Sequence, residues 1–415
     1  AVPRPTSPEV VVAVIGVAAD APVSSVASAL LTALSARLRA VGAGRVDRDG
    51  LDRAERAADK VVLHASVQDA DWRDFCLRVA DRIVLVAGDP APQSAPLPAR
   101  AVGADLVLAG PPASREHRRL WEELITPRSV HAVHYRRLLD DLRPLAARIA
   151  GRSIGLVLGG GGARGFAHSG VLEELEHAGV TVDRFAGTSM GAVVAALAAS
   201  GLDAAGVDAH LYEYFVRHNP ISDYAVPIKG LVRGRRTLAL LREAYGGRLV
   251  EELPKQFRCV SVDLLARQAV VHRRGPLADV VGCSLRLPGL YPPQVYNGRL
   301  HVDGGVLENL PASTLAGSEG PLIAVSIGLG GGPPGSSTRR DGPPKVPGIA
   351  DTLMRTMTIG SQMGADAALA QTQVVIRPDT RAVGLLEFHQ MDVAREAGRV
   401  AAREALPQIA ALLRR

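Results

Sequence analysis

Ile154-Gly155-Leu156-Val157-Leu158-Gly159-Gly160-Gly161-Gly162-Ala163-Arg164-Gly165 decides how this 415-residue chain is read. An apolar run leads into four consecutive glycines. A segment with helical spacing follows, carrying Val171, Leu172 and Leu175. The pattern predicts a strand over 154–158, a glycine loop, and then a helix. With no Cβ, the glycines can take φ > 0 and let other groups come close to the backbone. The loop N–H groups and the helix N-terminus behind them attract an anion. That anion is either a bound phosphate or the oxyanion of a transition state.

Taken alone, the loop leaves both choices open. Gly160-x-Gly162-x-x-Gly165 fits the dinucleotide fingerprint, and Asp183 follows near a strand end, where an acid for a ribose is expected. A nucleotide-binding protein that uses the Gly-rich loop for phosphate is one reading. A second stretch, Gly187-Thr188-Ser189-Met190-Gly191, favours the other. It is a G-x-S-x-G sequence between a short strand and an Ala-rich helix, which is the setting of a nucleophile elbow. The serine of such an elbow sits in a strained turn, and the residues two places to either side nearly touch. Gly187 and Gly191 meet that need, and Ala192 and Ala195 keep the helix close. A glycine-bracketed helix cap is the plainer alternative.

A nucleophilic serine needs a base. The usual one is a histidine oriented by an acid. Only His389 follows Asp303, in an ordinary amphipathic segment; His168 and His301 lie near the motifs but not where that chain order puts a base. Asp303-Gly304-Gly305, after Leu300-His301-Val302, offers a dyad instead. Its carboxylate takes the serine proton directly, and the two glycines leave room for the approach. A plain Asp-Gly turn is the other reading of these three residues.

In this order the three motifs resemble the patatin-like phospholipase family, which uses a Ser-Asp dyad without a catalytic histidine. The likeness extends to Phe166-Ala167-His168-Ser169-Gly170-Val171-Leu172, to Pro288-Gly289-Leu290-Tyr291-Pro292-Pro293, and to Val302 through Pro311. It covers about 151–415 and points to the bacterial side of the branch that contains neuropathy target esterase. Gly159 stands where many plant patatins have Asp, a departure that this branch shares. The resemblance implies a patatin-like three-layer α/β/α domain with a mostly parallel central sheet. It also implies a serine hydrolase that cleaves acyl esters of phospholipids or lysophospholipids, with no metal and no cofactor. Ser189 is then the nucleophile and Asp303 the base, and the N–H groups of Gly160, Gly161 and Gly162 hold the oxyanion. Gly159, Arg164, Gly165, Gly187, Gly191, Gly304 and Gly305 support them, Arg164 by positioning the loop rather than by meeting a phosphate headgroup. A catalytically idle scaffold is a third reading.

Residues 1–150 read as a smaller α/β domain, Rossmann-like or degenerate P-loop-like and non-catalytic. Val10–Val17 is a continuous apolar run, as in a buried parallel strand. Val26, Leu30, Leu34 and Leu38 then follow at helical spacing, with Ser24 or Ser25 as cap. Short strands are expected at Lys60–His64, Ile83–Ala87 and Asp105–Ala109. The region loosely resembles the deviant P-loop ATPases of the MinD/ParA kind, but the loop Gly16–Ser25 lacks the Lys-Ser/Thr pair that phosphate and Mg²⁺ require. Arg128, His131, His134, Arg136 and Arg137 read as a solvated helix face rather than a zinc site. In the esterase-like branch a cyclic-nucleotide-binding domain often lies upstream; none is legible in these residues, which leaves one to a longer parent chain.

The remainder is punctuated less clearly. Residues 208–250 read as irregular, with Tyr212, Tyr214, Phe215, Lys229, Arg233, Arg235 and Arg236 forming a candidate lid at a lipid interface or a plain surface hairpin. A helix is expected at 277–287, a Gly/Pro/Ser-rich loop at Gly328–Pro347, helices at 349–371 and 391–413, and a strand at 374–376. Aromatic residues make up only 4% of the chain against 47% hydrophobic residues, so the cores must be built from small and branched aliphatic side chains. Cys76, Cys259 and Cys283 are scattered, with neither metal spacing nor a disulfide framework, which suits a reducing cytosol. No apolar run reaches the roughly 18 residues of a membrane span. A cytoplasmic protein with at most peripheral membrane contact is expected. The net charge of +6 reads as a solvated basic surface or an attraction to anionic lipid. No nucleic-acid partner is expected.

Overall fold

A computed structural model of the chain describes residues 9–18, 20–88, 99–110, 115–327 and 365–414, together with Val346, Thr352 and Thr356. Two compact units emerge. One comprises residues 1–153 with Ser318–Gly320, the other residues 154–317 with 321–415.

The first unit runs β1 (Val11–Gly16), α1 (Val23–Ser35), β2 (Ala40–Gly42), α2 (Arg48–Ala57), β3 (Lys60–Ala65), α3 (Ala70–Val79), β4 (Arg82–Ala87), β5 (Asp105–Ala109), α4 (Arg115–Ile125), β6 (Ser129–Val133) and α5 (Leu138–Ile149). The strands form one parallel sheet in the order β2-β3-β1-β4-β5-β6. Successive strand residues point to opposite faces. Val11, Ala13 and Ile15 pack with Trp72 and Trp121, while Val12 and Val14 pack with Leu30 and Leu142. Burial on both sides explains why β1 reads as an unbroken apolar run.

Two expectations for this unit are corrected. Helix α1 begins at Val23 behind Pro22 without a side-chain cap, and Ser24 and Ser25 lie exposed in its first turn. The His/Arg cluster is not a helix face, because Ser129–Val133 is a strand. Ser129 Oγ donates to Asp105 Oδ1 at 2.6 Å and meets His131 Nε2 at 2.8 Å. Asp105 also pairs with buried Arg82 at 2.7 Å, and Arg82 reaches Glu9 and Glu319 at 3.3 Å each. Burial works against the Arg82 charge, but these three carboxylates outweigh it and raise its pKa.

The second unit is a three-layer α/β/α fold. Its elements are β7 (Gly155–Leu158), α6 (Ala167–His177), β8 (Arg184–Thr188), α7 (Met190–Ala199), α8 (Ala204–Leu211), α9 (Arg235–Tyr245), β9 (Gln256–Asp263), β10 (Gln268–His272), α10 (Leu277–Ser284), β11 (Gln294–Tyr296), β12 (Arg299–Asp303), β13 (Leu322–Val325), α11 (Ala365–Leu369), β14 (Val374–Ile376) and α12 (Met391–Leu413). The sheet order is β11-β12-β9-β8-β7-β13-β14, with β10 on β9. Its centre is parallel, and β10, β11 and β12 are antiparallel additions. Leu156, Leu158, Phe185, Ile323 and Val325 face one core with α6, α7 and α12; Val157, Ala186, Leu322 and Ala324 face the other with Leu310, Leu315 and Leu369. Helix α7 is buried along its whole length and is made of Ala, Val, Gly, Leu and Met. Side chains that small bring a helix axis close to a sheet, which is how a core poor in aromatics fills its volume.

Residues 208–250 are mostly regular rather than irregular. Helix α8 runs into a π-helical turn at Tyr212–Arg217, and α9 follows after a short hairpin closed by the Tyr224–Val232 bridge. Helix α10 ends at Ser284, four residues short of Pro288. The loop expected at Gly328–Pro347 and the first part of the helix expected at 349–371 lie outside the described residues, Val346, Thr352 and Thr356 apart. Among the described residues no helix is long and apolar enough to cross a membrane.

One feature of register prepares the site. Strand β9 carries β10 along one edge, and its other edge is shared by two strands that approach from opposite ends. Parallel β8 ends with Thr188 opposite Val260; antiparallel β12 ends with Asp303 opposite Ser261. The last residues of β8 and β12 therefore face neighbouring residues of one template strand. At the same level, β7 ends with Leu158 opposite Gly187, and the glycine loop begins.

Candidate active site

Ser189 sits between the end of β8 and the start of α7, with φ 55° and ψ −127°. A positive φ in a residue with a Cβ is costly and marks a turn held by its surroundings. The restraint is steric. A Cβ at Gly187 would lie 2.4 Å from the Gly191 carbonyl oxygen, and one at Gly191 would lie 2.2 Å from the Leu158 oxygen. Only glycine fits at either place. The Ser189 N–H donates to Ser284 Oγ at 2.8 Å, and that hydroxyl donates to Val260 O at 2.6 Å. Thr188 is tied by its own hydroxyl to Glu308 O at 2.9 Å. The serine is almost fully buried, at 6% exposure.

Asp303 closes β12 and is 2% exposed. Its N–H donates to Arg286 O at 3.0 Å, and its Oδ1 accepts from Gly305 N–H at 2.8 Å. The other oxygen, Oδ2, is buried without a hydrogen bond. Burial pushes the Asp303 carboxyl up to about 6, against smaller opposing effects from the nearby Ser189 hydroxyl and the Gly305 N–H. The Ser189 hydroxyl is thus close enough to be felt, yet it falls outside a formed bond. Gly304 lets this end of β12 press on β9, since a Cβ there would lie 2.4 Å from Val260 O.

The glycine loop stands beside Ser189. Gly159 continues the sheet by donating to Val325 O at 3.1 Å, and its own oxygen meets His168 Nε2 at 2.8 Å. His168 is therefore a fully buried prop for the loop, and burial lowers its pKa to about 4. Gly160, expected as an oxyanion donor, is already engaged. Its N–H reaches Asn309 Oδ1 at 3.2 Å and Asn309 O at 3.3 Å, and Asn309 Nδ2 donates back to Gly160 O at 3.3 Å. Among the described residues nothing accepts a hydrogen bond from the N–H groups of Gly161 and Gly162. Gly162 has φ 58°, and a Cβ on it would lie 2.3 Å from Leu385 O. Arg164 is buried and donates from Nε to Val383 O at 2.7 Å, and Ala163 N–H donates to Leu385 O at 2.8 Å. Gly165 packs against Met190, the residue after the serine.

Among the described residues no histidine hydrogen-bonds Ser189. His301 bonds Ser261, His168 holds Gly159, and His389 is exposed. Two participants were not singled out from the sequence. Ser284 holds the elbow from 95 residues away and Asn309 braces the loop from 149 away. Nothing local in sequence distinguishes such a serine. The asparagine stood inside the matched run Val302–Pro311, which was the one signal available for it. Chemically, the arrangement unites a strained serine, a carboxyl with raised pKa and two unpaired backbone donors.

Residues 156–316 match the profile of the patatin-like phospholipase family. An NTE family protein of Mycobacterium tuberculosis is 38% identical over 377 residues, which are 86% of this chain and 63% of that protein. A Candida glabrata protein named as a lysophospholipase of the NTE type is 33% identical over 194 residues, 46% of this chain and 11% of its own length. The chain thus spans under two thirds of the curated relatives it matches. Among solved structures, VipD from Legionella pneumophila aligns with a TM-score of 0.35 and 15% identity, over 61% of this chain and 66% of that one, a likeness too loose to argue from.

Proposed function

This chain belongs to the patatin-like phospholipase family, on its NTE-like branch, and on that premise we propose that it is a serine hydrolase that cleaves acyl esters of phospholipids or lysophospholipids. The observation that carries the proposal is Ser189 at φ 55° beside the buried carboxyl of Asp303, which feels the serine hydroxyl and keeps one oxygen without a hydrogen bond. Asp303 accepts the Ser189 proton as Oγ attacks the ester carbonyl. A carboxyl with a pKa of about 6 is about nine-tenths ionised at pH 7 and still basic enough to take part. The N–H groups of Gly161 and Gly162 hold the oxyanion. Gly160 joins them only if Asn309 releases it. Collapse of the tetrahedral intermediate expels the lysolipid or glycerol oxygen, which takes the proton from Asp303. Water then attacks the acyl carbonyl and gives a proton to Asp303; as the acyl–oxygen bond breaks, Asp303 returns that proton to Ser189 Oγ and the fatty acid leaves.

The nucleotide reading of the loop finds less support. Asn309 already occupies the N–H of Gly160, the first glycine of the fingerprint. Action at a lipid surface is supported by the hairpin between the π-helical turn and α9. Tyr224, Val226 and Ile228 are 70%, 75% and 83% exposed there, beside Lys229, Arg233 and Arg236. Apolar side chains flanked by cations suit an anionic lipid interface.

A fluorophosphonate probe tests the chemistry. Wild type is expected to label at Ser189; Ser189→Ala abolishes labelling and Asp303→Ala reduces it at least 100-fold. Full labelling of Asp303→Ala defeats the dyad. No labelling of the wild type, with tight NAD or ATP binding, defeats the hydrolase altogether.

A further inference from the structure

We infer that His272, Cys283 and His301 form a site for one soft divalent cation of the zinc type, and that its occupation disables Ser189 from behind. The three cysteines have no metal spacing in sequence, but the fold brings one of them to two histidines. His272 ends β10 and His301 lies in β12, and both strands pair with β9. Cys283 comes from the last turn of α10. One donor atom from each of the three lies within 4.8 Å of the others. All three residues are buried, at 6%, 0% and 1% exposure in chain order.

The two imidazoles are turned toward a common point. Ser261 Oγ meets His272 Nε2 at 2.7 Å and His301 Nδ1 at 2.8 Å, and the ring centroids are 5.4 Å apart. The Cys283 thiol lies beside them, fully buried. Two imidazole nitrogens and a thiolate suit zinc. Tetrahedral bonds of about 2.1 Å to nitrogen and 2.3 Å to sulfur put donors roughly 3.5 Å apart, so donors that lie within 4.8 Å of one another need to contract by at most about 1.3 Å. Side-chain rotation supplies a movement of that size. On binding, the thiol releases its proton to solvent as the sulfur–metal bond forms. The histidines bind neutral, and a ring nitrogen that now bonds Ser261 Oγ exchanges that hydrogen bond for the metal.

The coupling to chemistry follows from chain neighbours and rests on the proposed function. Cys283 precedes Ser284, whose Oγ holds the Ser189 N–H, and His301 stands two residues before Asp303 on β12. A metal that draws Cys283 toward His301 therefore pulls on both supports of the dyad. The inferred role is inhibition by soft metals, with the metal held outside the reaction itself.

The test uses the full chain, dialysed against chelator and titrated with Co²⁺. A thiolate-to-cobalt charge-transfer band is expected, complete at one equivalent and lost when Zn²⁺ displaces the cobalt. Cys283→Ser and Cys283→Ala are both prepared, so that one folded variant, checked by circular dichroism, is enough. The band should vanish in either. His272→Gln should weaken binding at least tenfold. In a second arm, fluorophosphonate labelling of Ser189 is timed with and without one equivalent of Zn²⁺, each protein against itself. Wild type is expected to slow at least tenfold and the Cys283 variants not at all. No band, or a band that survives in a folded Cys283 variant, overturns the site. A band with unchanged labelling overturns the coupling. Failure of metal-free wild type to label defeats the proposed function alone, because the cobalt spectrum still decides the site.

Discussion

Replacing Asp303 with asparagine separates what this carboxyl does for catalysis from what its charge costs the fold. The carboxyl is raised by burial from 3.8 to about 6. A shift of that size is worth about 3 kcal/mol. The sign follows from the direction. The folded state holds the proton more tightly than the unfolded chain does. The wild type therefore has its full stability from this group below about pH 4 and loses it as pH rises through about 6. Asparagine has no such titration. Its Oδ1 keeps the Gly305 N–H bond, but its Nδ2 takes the place of an oxygen that has no partner. An unsatisfied buried donor costs about 1–3 kcal/mol at every pH. Asp303→Asn is thus expected to be less stable than wild type at pH 4 and equal or more stable at pH 8. The difference between them should climb by about 3 kcal/mol, or roughly 6–12 °C in melting temperature for a unit of this size. Thermal melts of both proteins from pH 4 to 8 measure this, and all other titrating groups cancel. A difference that stays flat within about 1 kcal/mol, or that falls with pH, refutes the buried and poorly solvated carboxyl on which the base assignment depends.

Further consequences can be checked with the same proteins and assays. The rate of ester hydrolysis should rise with pH through an apparent pKa of about 6, as Asp303 ionises; a flat profile from pH 5 to 8 contradicts that role. Gly162→Ala forces a Cβ to within 2.3 Å of Leu385 O at φ 58° and displaces an expected oxyanion donor. Its kcat should fall by roughly 100- to 1000-fold. Ser284→Ala strands the Ser189 N–H and removes the donor to Val260 O, for a stability loss of about 1–3 kcal/mol and a lower kcat. Unchanged kcat there means the elbow holds itself. In the first unit, Arg82→Met leaves Asp105 buried without its arginine, while Glu319 keeps Arg148; the loss should cost about 3–5 kcal/mol in chemical denaturation while fluorophosphonate labelling of Ser189 persists.

The parts of the site that were legible in sequence are those whose chemistry is local. Four glycines in a row, or two glycines bracketing a serine, announce a backbone conformation within a few residues, and the close approaches at Gly187 and Gly191 are of that kind. The alternation of apolar runs and helical stripes likewise announced the sheet of each unit. What stayed hidden depends on pairing between distant segments. Residues 208–250 looked irregular because their polar and aromatic side chains mask the helical period, yet α9 buries Thr237, Leu241 and Tyr245 along one stripe. Arg128–Arg137 looked like a solvated helix because its charges dominate. There the edge strand β6 is stabilised by pairing with β5, a partner no local pattern reveals. Ser284 and the grouping of His272, Cys283 and His301 are invisible for the same reason, and the role of Asn309 is too, although the residue itself lay in a matched run.

The register of β9 explains why this architecture can pair a serine with an aspartate and leave histidine out. Val260 and Ser261 are adjacent on one strand, and they fix the ends of β8 and β12 against each other. Each end carries one residue of the proposed dyad on main chain that is already bonded: Ser189 N–H to Ser284, and Asp303 N–H to Arg286 O. A carboxylate placed in this way needs no imidazole to span the gap. It does need desolvation, since a carboxyl near its ordinary pKa is too weak a base for a serine proton. Two percent exposure and an unpaired Oδ2 provide that. The burial that comes with this geometry is thus also what raises the Asp303 carboxyl, the proposed base, toward neutral pH. A substitution that wets Asp303 should slow the reaction even where it leaves every backbone bond of the site in place.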